Sequence, residues 1–283
     1  MRYDDSQWLD DMYNNRARVP EHPQYFEHWT RDSAFARSSR RCALDVAYGK
    51  GARERLDVFA ASEPGSPVVV FIHGGYWRSL DKSQHSFIAP PLVDAGACVV
   101  MPNYELCPAT TVPGIVMQMV KALAWTFAHA ARHNGDPGRI TVMGHSAGGQ
   151  LAAMMMACDW KKFDPALPGE LVTRALSISG VHDLEPLRHA PSLQGSLQLT
   201  PEDARRASPA LLPAPEAGAL YAVAGGAESM EFIRQSQLIR RAWGPERVPV
   251  CEALPGLNHF SIVEALVKPG HTLNRLALSL MRS

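Results

Sequence analysis

The pattern of apolar and polar positions changes twice along the chain. Residues 1 to about 38 are polar with scattered aromatics, and their periodicity supports only short helices around Trp8 to Asn14 and Tyr25 to Phe35. Such a segment has no core of its own, so it predicts an arm laid over another part of the molecule. "ALDVAYG" and "ERLDVFAA" then alternate at period two around the turn-like "GKGA", which predicts an antiparallel hairpin at a sheet edge. After Pro67 the strands become continuous apolar runs, at 68–72, 98–103, 140–143, 175–179, 220–224 and 248–254. Strands buried on both faces have this character, as in a parallel sheet covered by helices. The intervening segments supply those helices over about 83–95, 113–133, 147–157, 230–243 and 261–281. Strand and helix therefore alternate as in a doubly wound α/β domain.

One interval breaks the alternation. Between Gly180 and Ala219 stand six prolines, Pro186, Pro191, Pro201, Pro209, Pro213 and Pro215, with only short helical stretches. This is too long for an ordinary connection in a compact domain. It predicts a cap-like insertion, 181–218, over the carboxyl edge of the sheet, within one α/β domain spanning 1–283.

Composition narrows the function classes. At 283 residues and 46% apolar, the chain can bury a full core. Lys+Arg and Asp+Glu both number 28, so no overall field draws it to nucleic acid or an anionic membrane, and a small molecule is the expected partner. The five cysteines are dispersed, with no CxxC pair, which predicts reduced thiols in a cytoplasmic protein rather than a disulfide framework or a zinc site. "MRYDDSQWLDDMYNNRARVP" has acids and amides where a signal peptide needs a basic start and an apolar core, and no run reaches membrane-spanning length. Nothing in the sequence argues against a homodimer.

Three places just after predicted strands carry the candidate chemistry, where ligands of open α/β sheets bind. Gly144-His145-Ser146-Ala147-Gly148 fits G-x-S-x-G, a sharp strand-to-helix turn that exposes a serine hydroxyl and aims the Ala147 N–H and the helix dipole at a developing oxyanion. "FIHGGYWRS" places a glycine pair after a strand, so Gly75 and Tyr76 are the expected companion donors; the Lys-Ser/Thr of a P-loop is missing. A serine needs an imidazole base, and the imidazole needs a carboxylate. His259, in "LPGLNHFSIVEAL" between the last strand and last helix, is the best placed of eleven histidines. The acid should follow the preceding strand, "LYAVAGGAESMEF". There Glu228 lies in the loop and Glu231 in the oncoming helix, so Glu228 is chosen, with Asp183 in "SGVHDLEPL" as the alternative. His129 and His133 are four apart, but Ala130 stands where an HExxH zinc motif needs glutamate. No metal or cofactor is expected.

With "HGGYW", "GHSAGG" followed by "LAAM", "SGVHDLEPL", "ESMEFIRQS" and "GLNHFSIVEAL" in order, the chain resembles the arylformamidase (kynurenine formamidase) family of α/β-hydrolases from about residue 65 to 267. The resemblance implies Ser146 as nucleophile, His259 as base and Glu228 as acid, where the family usually has aspartate. It implies a serine hydrolase for N-formyl aryl amides such as N-formylkynurenine, with a carboxylesterase for small acyl or aryl esters as the alternative. A ligand receptor on the same scaffold would be expected to lack one of the three residues. Tyr76, Trp77, Trp160 and His182 are the expected flat surfaces for an aryl amine.

Overall fold

A computed structural model describes residues 5–282. Eight strands form one sheet in the order β1-β2-β4-β3-β5-β6-β7-β8: β1 Cys42–Ala47, β2 Arg55–Phe59, β3 Ser66–Ile72, β4 Cys98–Pro102, β5 Gly135–His145, β6 Arg174–Ile178, β7 Ala219–Gly225 and β8 Val250–Leu254. β1 and β2 form the edge hairpin, paired Cys42 to Phe59, and β2 runs antiparallel to β4; all other pairings are parallel. This is the α/β-hydrolase fold.

The continuous apolar strands are what a two-sided sheet requires. Val68, Val70 and Ile72 of β3 enter one core, and Val69 and Phe71 enter the other. On the first side lies the helix Ala147–Met156, every residue of which is buried. On the second lie the helices Ser261–Val267 and Thr272–Arg282.

Two of the expected helices are interrupted. The segment expected to be helical over 83–95 forms two 3-10 turns, Lys82–Gln84 and Ser86–Ile88, before a short helix Ala89–Asp94. Pro90 and Pro91 explain this, since proline cannot donate into a helix and is tolerated only in its first turn. The expected 261–281 helix is split at Pro269 and Gly270, whose φ is +77°.

The polar N-terminal residues fold as helices Ser6–Tyr13, Asn15–Arg18 and His22–Ser39, and they reach both cores. Leu9 and Tyr13 join the first, and Trp29 joins the second beside Phe87 and Phe260. The segment 181–218 holds two short helices, Pro191–Leu197 and Pro201–Arg206, between 3-10 turns. Gln150 Nε2 donates to Ala207 O (2.7 Å) and Trp243 Nε1 to Pro209 O (3.1 Å), tying that segment to helices of the main body. Among the described residues, no helix is long and apolar enough to cross a membrane.

Candidate active site

β5 ends at His145 and the helix begins at Ala147, leaving Ser146 as the single residue of the turn, at φ 56° and ψ −118°. A non-glycine residue in this region is strained, and it holds there only because its surroundings fix it. Ser146 N donates to Ile178 O (2.8 Å), and the neighbouring Gly148 lies so close to β3 that a Cβ would sit 2.0 Å from Ile72 O. Gly148→Ala must therefore push the helix off the strand. We expect a loss of about 3 kcal/mol in a urea unfolding titration, the upper end for overpacking because the obstacle is backbone. An alanine variant of unchanged stability would show the turn to be looser than described.

The loop after β3 is held equally closely. Gly75 has φ +110°, and a Cβ there would meet Ser79 O at 2.1 Å; Tyr76 and Trp77 also have positive φ, 50° and 52°. Arg78 N and Ser79 N donate to Gly75 O (both 3.1 Å), and Tyr104 OH donates to His73 O (2.9 Å). Within this folded loop the N–H groups of Gly75 and Tyr76 meet no acceptor among the described residues, and the same is true of Ala147 N–H. Unclaimed backbone donors near a serine hydroxyl are the kind of group an oxyanion hole requires.

His259 is placed by the Asn258 cap, whose Oδ1 accepts from Phe260 N (2.9 Å) and Ser261 N (2.8 Å). Its Nδ1 lies 2.6 Å from Glu228 Oε2. The other oxygen, Oε1, accepts from Ser179 Oγ (2.5 Å) and Gly225 N (2.6 Å). The carboxylate is thus fully buried yet satisfied at both oxygens. His145 Nε2 donates to His259 O (2.8 Å), and burial, with the field of His259, pushes the His145 pKa well below its ordinary value. His145 therefore serves as a neutral tether. Ser146 Oγ makes no hydrogen bond among the described residues, so nothing there holds it away from a base.

The competing carboxylates are occupied elsewhere. Glu231 accepts from Tyr13 OH (2.7 Å) and pairs with Arg234 (2.8 Å). Asp183 caps the backbone of Glu185 (3.0 Å), and burial raises its pKa. His129 stacks on Trp125 at 4.5 Å.

Ser146, His259, Gly75 and Tyr76 line one pocket, together with the arm residues Phe26 and Trp29. Three of the four expected aromatic contacts lie outside it. Trp77 is fully buried with Nε1 donating to Gln150 Oε1 (3.2 Å), Trp160 sits in the first core, and His182 lies beside Ser177, where burial drives its pKa down to about 3. Each follows a strand or helix closely enough to be drawn into the core behind it. Tyr76 is the exception, and its hydroxyl donates to Tyr13 O (2.6 Å) in the arm. Sequence reasoning missed Ser179 and the arm rings Phe26 and Trp29. Ser179 stands at a strand's carboxyl end and could have been found there; the arm rings carried no local signal.

The BD-FAE family model matches residues 56–212. The kynurenine formamidase of Danio rerio is 33% identical over 257 residues, covering 87% of this chain and 84% of that protein. A "putative thioesterase" from Silicibacter sp. TM1040 superposes with a TM-score of 0.84 at 29% identity, over 97% of this chain and 99% of that one. An esterase from Pyrobaculum calidifontis, at 19% identity and TM-score 0.71 over 90% of this chain and 92% of its own, shares the fold.

Proposed function

The chain belongs to the kynurenine formamidase family of α/β-hydrolases, and from that premise we propose that it cleaves N-formyl aryl amides to the aryl amine and formate. The observation that carries the reading is the 2.6 Å contact of His259 Nδ1 with the buried Glu228, in a site where Ser146 and His259 share a pocket with Gly75 and Tyr76. Ser146 Oγ attacks the formyl carbon as His259 Nε2 takes its proton. The carbonyl oxygen becomes an alkoxide held by the N–H groups of Gly75, Tyr76 and Ala147. Glu228 stabilises the imidazolium, which then protonates the departing amine nitrogen and leaves formyl-Ser146. A water, deprotonated by His259, attacks that ester; formate departs and the serine proton returns.

Formyl is the smallest acyl group, so selectivity for it means a narrow acyl site, with binding energy drawn from the leaving-group side. Phe26, Trp29 and Phe260 supply apolar rings there. A formanilide is expected to show higher kcat/KM than the matching acetanilide, and activity on phenyl esters to fall once the acyl chain exceeds about two to four carbons. The likeness to the "putative thioesterase" at 29% identity supports a second reading, an esterase with a roomier acyl site. Fastest turnover of butyryl or longer esters, with formanilides left intact, would establish that reading instead.

A further inference from the structure

Among the described residues lining the pocket, only two carry a permanent charge, and both are arginines, Arg16 and Arg78. No aspartate or glutamate is in the lining. Arg16 and Arg78 make no ion pair among the described residues. Both are nevertheless held in place. Arg16, on the helix Asn15–Arg18, sits over the Phe26 ring at 5.5 Å, and its Nη2 donates to Ser79 Oγ (3.3 Å). Arg78 Nη1 donates to Ser192 O (2.5 Å) and Ser196 Oγ (2.8 Å) in the 181–218 segment.

These bonds leave Nε and Nη2 of Arg78, and Nε and Nη1 of Arg16, without acceptors. Asp10 acts on Arg78 from a distance, but it is committed to Ser192 N (2.8 Å) and lies outside the lining. Burial and the field of Arg16 both lower the Arg78 pKa, so the two guanidiniums, both in the lining, repel each other. An anion between them would relieve that repulsion and fill the open donors in the forked geometry that guanidinium offers a carboxylate.

We propose that Arg16 and Arg78 form a carboxylate subsite, so that the acyl compound cleaved at Ser146 bears a carboxylate on its leaving group, and that net negative charge is selected over an amino-acid zwitterion. The preference against a zwitterion follows from the lining, which offers an ammonium no carboxylate and places it beside two cations. The proposal rests on the serine-hydrolase reading of the same pocket, but not on formyl being the acyl group.

The test follows hydrolysis of a neutral ester, phenyl acetate, in the presence of three matched inhibitors: 4-phenylbutanoate, 4-phenylbutanamide and 2-amino-4-phenylbutanoate. The inhibition constant of 4-phenylbutanoate is expected about tenfold below the other two. The carboxylate-to-amide preference should collapse toward unity in Arg16→Gln and in Arg78→Gln, and invert in Arg16→Glu. Arg78 also anchors the 181–218 segment, so if Arg78→Gln does not fold, the exposed Arg16 gives the answer. Equal inhibition by acid and amide, tightest inhibition by the zwitterion, or a preference unchanged in Arg16→Gln would overturn the subsite. Formanilide turnover is read in parallel: its absence beside an intact preference removes the formamidase reading alone, and its presence without a preference removes the subsite alone.

Discussion

Ser146→Ala is expected to lower kcat by about 10³-fold or more, His259→Ala to do the same, and the double variant to lose little beyond either. The two side chains line one pocket and would act as a unit, because a serine hydroxyl is a poor nucleophile until an imidazole takes its proton. Once either is gone, what remains is binding and the N–H donors of Gly75, Tyr76 and Ala147, which are untouched. The check is kcat for the single and double variants on one ester and one formanilide, with fluorophosphonate labelling of the wild type at Ser146. Multiplicative losses, or a single variant with most of its activity, would mean that another nucleophile or base carries the reaction.

The second large effect is expected at Glu228. Its Oε1 must accept from Gly225 N and Ser179 Oγ, so a glutamine there keeps its oxygen on those donors and turns its amide NH2 toward His259. The imidazole then has to accept at Nδ1, which puts its proton on Nε2, the atom that should receive the serine proton. Glu228→Gln should therefore lower kcat by about 10³ to 10⁴-fold through the wrong tautomer as well as the lost charge. Asp183→Asn, which changes only a cap on Glu185, should leave kcat nearly unaltered. Equal losses in the two variants, measured on the same substrate, would transfer the acid's role to Asp183.

The parts of this molecule written in local pattern could be read from the sequence, and the parts made by distant packing could not. The β3 run "VVVFI" announces a strand with two buried faces, and Gly144 to Gly148 announces a turn that only small residues fit. Chain order places His259 and Glu228 in loops at the carboxyl end of the sheet, and the loop position separates Glu228 from Glu231, with Asp183 as the alternative acid. The pocket walls are another matter. Trp77, beside the glycine pair after β3, and Trp160, just past the helix that follows the turn, are large and flat, yet both are drawn into the first core. The rings in the pocket come from Phe26 and Trp29, in a segment with no strand pattern and more than 100 residues upstream of Ser146. Helix boundaries failed where two signals competed. Apolar periodicity argued for helix over 83–95, and Pro90 and Pro91 restricted it to the last part.

The bond from Tyr13 OH to Glu231 spans 218 residues, and the one from Gln235 to Tyr13 OH spans 222. On a ribosome the arm is therefore made long before the helix it docks on. At roughly 5 to 20 residues per second, it waits on the order of tens of seconds. In the later part of that interval the turn bearing Ser146 is already synthesised, but the arm has not docked and neither Glu228 nor His259 exists. A nascent chain exposing a strained serine is thus without the groups that would activate it, and hydrolytic competence arrives only as the last strand and helices emerge.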